Sequence, residues 1–542
     1  MKNRVEKYYY ESINETIYKL VLDNGLTVFI NKKEGYNKIF SSFITNFGAS
    51  DIKFIPNGED QYITAPLGVA HFLEHKMFEM PDGNDASNLF ADLGADSNAY
   101  TDYNETAYIV SCTSNFEKVL EVLLDFVQTP FFTDENVEKE KGIIIEEYKM
   151  YQDNPNDRLY NELMKNMYRI NNHREDVVGN IKSINSITKE ILYKCYNTFY
   201  HPSNMYLFIS GDVDVYETFE LVENNQKQKS FDDYTPVKCK YDIEDNVVNK
   251  KSSSSVMDII MPKVTFGVKL PTFEFEEDEI IKIECISKIM LEYGFGFSSK
   301  NYQYMLDQEL VSGFTYSFHY DCSSSHIKFI ANSFNPKDLV SFLKKQILLF
   351  KNFEIEEEAF NNIKNGLIGT FIRSYDSKDY IATAYIEYLF KNANIFKAID
   401  IIKYEITFLA KKSKYFKPIN SIYGIGEFTT SIIIAELGDI NRFNNIKELT
   451  AYCRLEPSIK QSGKSVNIHG PISKSDNKYM RKILYIAVSN IIRLTTISKQ
   501  ENDLEIYYRK KRNEGKHHYA SIVACTTKLL RKILALCKQL NK

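Results

Sequence analysis

Two histidines and a glutamate lie close together in the apolar stretch GVAHFLEHKMFE, residues 68–79. His71 and His75 are four residues apart, so on a helix they share one face, and Glu74 lies beside them. Two neutral imidazoles on one helical face can bind a zinc ion. A catalytic zinc needs a third protein ligand and keeps one position open for water. A pair of core histidines beside a surface glutamate is the alternative that this pattern leaves open.

The third ligand is expected from the acidic stretch VEKEKGIIIEEYKMYQDNP, residues 137–155. Glu140 and Glu147 are seven residues apart, so they lie on one face of a helix. A carboxylate from this face would complete a site of two histidines and one acid. The residue types and spacings therefore predict a zinc centre that joins two helices.

Apolar periodicity places both stretches in a mixed α+β module, residues 1–221. Asn24 and Gly25 predict a tight hairpin between two short strands, because Asn-Gly readily adopts positive φ angles. Residues 97–113, SNAYTDYNETAYIVSCT, predict a second strand pair, and residues 204–214 predict a buried strand. Apolar residues three and four apart predict helices at residues 68–80, 85–95, 115–128 and 134–152.

The rest of the chain divides into three parts. Residues 222–254 are polar, with NNQKQKS and KKSSSS, and predict an inter-module linker. Residues 255–402 repeat the order of strands and helices of the first module, which indicates a degenerate duplication. Residues 403–542 have a mostly helical pattern. The predicted fold class is α+β: two duplicated α/β modules followed by a mostly α-helical domain.

The net charge of -5 hides two segments of opposite sign. Residues 401–542 carry 26 Lys and Arg against 11 Asp and Glu, a balance of +15. Residues 1–400 carry 41 against 61, a balance of -20. Such asymmetry indicates that a basic module that meets nucleic acid is joined to an acidic module with another task.

Composition and termini favour a folded cytosolic protein. The first twenty residues lack the continuous apolar core of a secretory signal, and no run approaches the roughly 18 apolar residues of a membrane span. The eight cysteines form no CxxC pair, so neither a thiol zinc site nor a disulfide framework is indicated. They are expected to be reduced core residues.

The motifs of the first 400 residues carry a family resemblance. HxxEH is the inverted zincin motif. Together with GADSNAYTDYNETAYIVSCT and EKEKGIIIEEYKMYQDNP, it makes residues 10–400 resemble the pitrilysin/insulinase zinc peptidases, most closely their small bacterial members. The resemblance implies that residues 1–221 are the catalytic zinc peptidase module. It also implies that residues 255–402 are a related module without catalytic residues.

Carried over residue by residue, the resemblance implies that His71, His75 and Glu147 bind one zinc ion per chain. Glu74 would be the general base, and Glu140 would support the site from two turns before the ligand. Glu146 is the competing ligand, although it points about 100° away from the Glu140 face. The implied reaction is peptide hydrolysis, in which Glu74 takes a proton from water and passes it to the leaving amine.

The family resemblance also implies how substrate and partner bind. Asn98 and Ala99 match the strand edge on which an extended substrate adds through backbone hydrogen bonds. A strand-end turn residue is the alternative for Asn98. Family members of this type form half of a clamshell. The expected assembly is therefore a homodimer, or a heterodimer with a related subunit that lacks HxxEH.

The C-terminal segment resembles a different family. INSIYGIGEFTTSIIIAELGD predicts a helix-hairpin-helix, in which Gly424 and Gly426 let backbone N–H groups approach a DNA phosphate; an ordinary helical hairpin is the alternative. The continuation makes residues 405–542 resemble the C-terminal domain of DEDD-type insertion-sequence transposases, relatives of the Piv invertases.

That resemblance implies a serine nucleophile, which by its position in KQSGK would be Ser462. The acidic magnesium-binding domain of those recombinases has its place taken by the peptidase, so we expect no recombination. Basic residues that are expected to contact DNA phosphates, with simple solvated charge as the alternative, are Lys464, Lys474, Lys478, Arg481, Lys482, Arg509, Lys510, Lys511 and Arg512.

The junction near residues 400–405 predicts a shortened second module. Family peptidases usually continue there for a few dozen residues, with a helix and a strand, and this end is replaced. A lost strand would expose apolar surface and weaken the module. Three functional hypotheses follow: a zinc metalloendopeptidase with an inactive transposase tail, a DNA-binding or transposition protein with a vestigial peptidase half, and an inactive gene fusion.

Overall fold

The chain folds into two compact units, Met1–Lys364 with Ser374–Ala398, and Asn365–Arg373 with Ile399–Lys542. In the part that the computed structural model describes, no helix is long and apolar enough to cross a membrane. The described residues are 4–10, 15–242, 244–271, 277–320, 323–350, 357–374, 378–391, 393–395, 407–408, 410–438, 440–453, 455, 457–462, 466–472, 478–498 and 502–540.

A seven-stranded sheet forms the centre of the first module. Its strand order is β1-β2-β3-β9-β4-β8-β7, and only β3 and β9 are parallel. Two short strands, β5 and β6, belong to a separate small sheet. The nine strands are β1 (Glu6–Tyr10), β2 (Glu15–Val21), β3 (Thr27–Lys32), β4 (Ile39–Thr45), β5 (Lys53–Ile55), β6 (Ile63–Thr64), β7 (Asp96–Thr101), β8 (Thr106–Cys112) and β9 (Met205–Gly211).

Eight α-helices accompany this sheet, and the four that were predicted agree with the structure to within three residues at each end. Thr133 and Asn136 form a capping box at the start of the long fourth helix, and Asp134 and Glu135 in its first turn suit the positive end of the helix dipole. The helices are α1 (Val69–Met77), α2 (Ala86–Asp92), α3 (Phe116–Val127), α4 (Asp134–Asp153), α5 (Pro155–Met167), α6 (Ile181–Asn185), α7 (Lys189–Phe199) and α8 (Val215–Lys227).

Two glycines fix where α1 begins. Gly68 has φ +84°, and a Cβ atom there would lie 2.2 Å from the carbonyl oxygen of Val178. Gly179 has φ +85°, and a Cβ atom there would lie 2.5 Å from the carbonyl oxygen of Leu67. Both positions therefore need glycine, because the backbones approach too closely for a side chain. This contact holds the start of α1 against the turn before α6.

The stretch predicted as an inter-module linker is held against the first module. Its first residues belong to α8, and Lys238–Cys239 form strand β10, which pairs with β5. The Glu244 carboxylate then accepts the backbone N–H groups of Arg169, Ile170 and Asn171 at 2.8 to 2.9 Å. Residues 238–250 are thus a strap, held by backbone pairing and a buried carboxylate.

The second module repeats part of the first. Its three-stranded sheet has the order β11-β13-β12, and both pairings are antiparallel. The predicted α+β fold with two related α/β modules is therefore confirmed. The elements are β11 (Lys263–Lys269), α9 (Glu277–Phe295), α10 (Lys300–Asp307), β12 (Gly313–Tyr320), β13 (Ser325–Asn332), α11 (Pro336–Leu349), α12 (Glu357–Ser374) and α13 (Lys378–Phe390).

The C-terminal region is mostly helical, as predicted, with one two-stranded hairpin. Leu449, Leu484, Ile491, Leu529 and Ile533 are fully buried members of its own hydrophobic core. The elements are α14 (Phe416–Asn420), α15 (Glu427–Leu437), α16 (Ile446–Tyr452), β14 (Pro457–Ser462), β15 (Val466–Ile472), α17 (Lys478–Ser498), α18 (Asp503–Asn513) and α19 (His518–Gln539).

A buried carboxyl group contacts the strap. Asp51 accepts the Gly48 N–H at 2.8 Å and the Tyr241 hydroxyl at 2.5 Å, and only 5% of the residue is exposed. Burial raises the pKa of Asp51 from 3.8 to about 6, although both hydrogen bonds favour the charged form. The folded protein therefore binds more protons here than the unfolded chain between about pH 4 and pH 6.

Asp51→Asn should remove a pH dependence of stability. Because the folded-state pKa is raised, stability from Asp51 is greatest below about pH 4 and falls as the pH rises to about 6. Between pH 4 and pH 7, the free energy of unfolding of the natural protein should therefore fall by as much as about 3 kcal/mol relative to that of Asp51→Asn. Urea unfolding at both pH values measures this. The exposed Asp60→Asn is the control, and equal pH dependence in all three proteins would contradict the assignment.

Candidate metal centre

Helices α1 and α4 bring two imidazoles and a carboxylate together. Ligand atoms of His71, His75 and Glu147 all lie within 4.8 Å of one another. His71 Nε2 is 3.7 Å from Glu147 Oε1, and His75 Nε2 is 3.4 Å from Glu147 Oε2. Ligands of a tetrahedral zinc with bonds of about 2.0 to 2.1 Å lie about 3.3 Å apart. The group is therefore already close to the size of a zinc site.

Unsatisfied buried atoms also fit a cation at this place. Within the described part of the chain, Glu147 Oε2 and His71 Nδ1 are buried without a hydrogen-bond partner. His75 Nε2 lies 3.4 Å from Glu147 Oε2, and a divalent cation held by Glu147 and the two imidazoles would satisfy this buried oxygen. The donor set of two nitrogens and one oxygen is the set that catalytic zinc uses.

Three side chains around the group hold its members in place. Glu140 Oε1 lies 3.1 Å from His75 Nδ1, which leaves His75 Nε2 to face Glu147. The fully buried Lys76 has its Nζ 4.0 Å from Glu140 Oε2. The Tyr151 hydroxyl donates to Glu147 Oε1 at 2.9 Å. Such partners orient the ring and the carboxylate of a metal site.

The competing carboxylate does not reach the histidines. Glu146 forms an ion pair with Lys149 at 2.6 Å, and 73% of its side chain is exposed. It therefore lies on the solvent side of α4, whereas Glu147, one residue later, faces α1. The geometry thus distinguishes two adjacent acids whose residue type is the same.

Glu74 lies beside the group but is held by a strand. The residue is only 7% exposed, and the Thr101 hydroxyl at the end of β7 donates to Glu74 Oε2 at 2.6 Å. Burial raises the pKa of Glu74, and the hydrogen bond from Thr101 partly opposes this rise. A carboxylate in this environment has the raised basicity that a general base needs.

The pKa values of the two histidines are shifted in opposite directions. Burial lowers the pKa of His71 to about 4, and the charge on His75 lowers it further, so its 3.7 Å contact with Glu147 is not an ion pair near neutral pH. Burial also opposes protonation of His75, but the carboxylates of Glu140 and Glu147 outweigh it and raise its pKa to about 10. The carboxyl of Glu147 has its pKa lowered to about 2, against burial, by His75 and His71.

Asn98 and Ala99 lie on β7, which is the last strand of the seven-stranded sheet. Because the Asp102 N–H bonds to the Glu105 carbonyl, ladder alternation directs the backbone of Ser97, Ala99 and Thr101 towards the open edge. The exposed Asn98 side chain accepts the Ala99 N–H at 2.9 Å. The predicted substrate edge is thus an accessible strand beside α1.

Three contacts were not predicted from the sequence. Tyr151 is four residues after Glu147 on the same helix, and this spacing could have predicted their contact. Thr101 is three residues after Asn98 in the strand. Nothing in the local sequence points Thr101 towards Glu74, because that contact depends on how β7 packs against α1. The same is true of the buried Lys76.

In the helical unit, α14, a turn and α15 form the predicted helix-hairpin-helix. Gly424 in the turn has φ +81°, and a Cβ atom there would lie 2.9 Å from the Cα of Ile491 on α17. Close packing is therefore a sufficient reason for this glycine. Gly426 is the exposed N-cap of α15, and the next residue, Glu427, pairs with Lys411 at 2.9 Å. A carboxylate at the helix start opposes an incoming phosphate.

The other candidate DNA contacts are dispersed. Ser462 is the last residue of β14, and Arg481 is a half-buried residue near the start of α17. Lys464 and Lys474 lie outside the described residues. On α18, Arg509 pairs with Glu505, and exposed Lys510 and Arg512 follow it. The structure therefore places an exposed basic group on α18.

Comparisons with known families match different parts of the chain. Residues 59–180 match the insulinase family (peptidase family M16), and residues 186–367 match the M16 inactive domain. Residues 417–502 match the transposase IS116/IS110/IS902 family. The zinc protease YmfH of Bacillus subtilis is 37% identical over 395 residues, which are 73% of this chain and 92% of that protein.

Solved structures agree with this division. An M16-like peptidase from Alicyclobacillus acidocaldarius has a TM-score of 0.68 and 33% identity, over 72% of this chain and 92% of that one. A protease from Helicobacter pylori has a TM-score of 0.58 and 22% identity, over 69% and 89%, which shows the likeness of the fold. The peptidase fold thus covers nearly three quarters of the chain.

Zinc binding should distinguish Glu140, Glu146 and Glu147, which all lie on α4. Glu147→Gln should abolish tight binding because it removes a ligand, and Glu140→Gln should weaken it about 10- to 100-fold because His75 loses its orienting carboxylate. The control Glu146→Gln should bind zinc like the natural protein. Isothermal titration of the metal-depleted proteins with zinc measures all three. Strong zinc binding by Glu147→Gln together with loss in Glu146→Gln would reverse the assignment.

Proposed function

The chain belongs to the insulinase peptidase family M16, and we propose that it is a zinc-dependent metalloendopeptidase that hydrolyses peptide bonds. The observation that carries this proposal is the convergence of His71, His75 and Glu147 beside a buried Glu74. These two imidazoles and the carboxylate would hold one zinc ion, and a catalytic zinc keeps one position for water.

The residues of the chain divide the chemistry among them. A bound zinc ion supplies Lewis acidity, which acidifies water and polarises the scissile carbonyl. Glu74 accepts the proton of the attacking water and delivers it to the leaving amine. The Thr101 hydroxyl keeps the Glu74 carboxylate in one orientation, and Glu140 keeps the His75 ring in place.

The substrate in this proposal is an extended peptide segment. It pairs with the open edge of β7, where the outward backbone groups of Ser97, Ala99 and Thr101 supply hydrogen bonds. Asn98 would release the Ala99 N–H as the substrate binds. Because Thr101 also holds Glu74, a peptide on this edge runs past the proposed base.

The assembly that we propose is a pair of chains. The matches to the insulinase family, within 59–180, and to the M16 inactive domain, within 186–367, support a proposal of one catalytic and one inactive module. A second copy of this chain, or a related subunit without HxxEH, would enclose the substrate between two such halves. One zinc ion per chain is proposed, in the catalytic module.

Glu74→Gln should retain zinc and lose turnover. The amide is close in size to the carboxylate and leaves the three ligands in place, but it cannot accept a proton, so kcat for peptide cleavage should fall at least about 10²- to 10⁴-fold. Cleavage of a quenched fluorescent peptide and the zinc content of the purified chain measure the two effects. The natural protein should lose activity with a chelator and regain it with zinc, and Glu146→Gln should remain active. A Glu74→Gln protein that still cleaves peptide would contradict the proposed base.

DNA binding by the helical unit is the second candidate function. It is favoured by the balance of +15 over residues 401–542, by the transposase family match and by the exposed basic group on α18. We propose contacts with the phosphate backbone that carry no sequence preference. Ser462 is not proposed to catalyse DNA cleavage. Among the described residues of this unit, no three His, Cys, Asp or Glu side chains lie close enough together to hold a metal ion that would activate it.

Salt dependence tests this second candidate. Binding of the full chain to a fluorescent DNA duplex should weaken steeply between 50 mM and 200 mM salt, because each phosphate contact releases counterions. The double variant Lys510→Glu and Arg512→Glu should reduce affinity at low salt. Lys251→Glu, at an exposed position of the peptidase unit next to the strap, is the control. Affinity that does not change with salt would contradict phosphate binding.

A further inference from the structure

The second module repeats the first as far as its third strand. Strands β11, β12 and β13 correspond to β4, β7 and β8: in each set the first and the second strand both pair antiparallel with the third. Two helices lie between the first and second strands in both modules, α1 with α2 and α9 with α10. The duplication therefore allows a strand-by-strand comparison.

One strand of the first module has no counterpart among the described residues. Strand β9 lies between β3 and β4, parallel to β3 and antiparallel to β4. It begins at Met205, 93 residues after β8 ends at Cys112. The same distance after the end of β13, Asn332, reaches residue 425, which lies in the turn between α14 and α15. The chain enters the helical unit where this strand would return.

Among the described residues, no strand pairs with the second edge of β11. The Ser333 N–H bonds to the Pro262 carbonyl, and the Leu270 N–H bonds to the Ser325 carbonyl. Ladder alternation then directs the N–H and C=O groups of Lys263, Thr265, Gly267 and Lys269 away from β13. Every residue of β11 is half-buried, whereas six of the seven residues of β4 are buried.

The segment before β11, residues 256–260, has exposed apolar side chains. In the first module, β3 does not pair with β4 and joins the sheet only through β9. Residues 256–260, which come just before β11, have the sequence VMDII and form no strand. Val256 is 97% exposed and Ile260 is fully exposed. Large aliphatic side chains in this state indicate a segment that lacks the strand on which it would pack.

We propose that the edge of β11 and residues 256–260 form an acceptor site for one β-strand of another polypeptide. The incoming strand runs antiparallel to β11, as β9 runs antiparallel to β4 in the first module. Its backbone satisfies the outward groups of β11, and its side chains cover Val256 and Ile260.

The first module shows what the strand must look like. Strand β9 has the sequence MYLFISG, and six of its seven residues are buried because both of its faces are covered. The occupant is therefore a segment of about seven residues, mostly apolar on both faces. Strand β11 of a second copy fits less well, because Lys263, Thr265 and Lys269 alternate with its apolar residues. The acceptor site thus favours a different segment from β11 itself.

A peptide of the chain's own β9 is the direct probe. Residues 203–214, SNMYLFISGDVD, are added to the full-length protein in the presence of chelator, which prevents cleavage. The expected results are a rise in the thermal transition that saturates with peptide, and slower hydrogen exchange at the amides of Thr265 and Gly267. At a peptide concentration a hundred times Kd, exchange there should slow about a hundredfold. A peptide with proline in place of Leu207 and Phe208 is the matched control.

Thr265→Pro isolates the proposed edge. Its N–H points away from β13, so proline removes a donor to the incoming strand and keeps the ladder to β13. The variant should lose the response to the peptide. Exchange in the natural protein tests the proposal independently of this variant. Three results would each overturn the proposal. The first is protection at Ala99 on β7 instead of β11, and the second is an equal effect of the proline peptide. The third is that the β11 amides are already protected in a concentrated peptide-free sample, as pairing with a second copy would cause.

Discussion

The account depends on one packing contact, the approach of α1 and α4 that places Glu147 between two imidazoles. Every other feature of the centre serves that approach. The close backbone contact of Gly68 with Val178 fixes the start of α1, and the capping box at Thr133 fixes the start of α4. A shift of either helix by one residue would turn its ligands about 100° away.

Spacing alone predicted much of this centre, and its limits are physical. Positions 71, 75, 140 and 147 follow from the helical repeat, and α1 and α4 form where apolar periodicity placed them. The sequence left Glu146 open, because it is as acidic as Glu147; only the packing of α4 turns Glu146 towards Lys149 and solvent. Thr101 was not predicted, because its contact with Glu74 joins residues 27 apart through tertiary structure.

The polar stretch before the second module shows that a polar composition does not by itself indicate a chain free of contacts. The polar stretch 222–254 was interpreted as a linker, yet Glu244 and Lys238–Cys239 hold it against the first module. The shortened end was predicted from the resemblance, and it remains a prediction. Among the described residues the second module has no counterpart of β9, and the helical unit has its own buried core.

The most direct test of the central claim is the position of zinc in a crystal. Anomalous diffraction at the zinc edge from crystals grown with zinc should show one strong peak per chain, at bonding distance from His71, His75 and Glu147. A peak elsewhere, with these three side chains bound only to one another, would contradict the account.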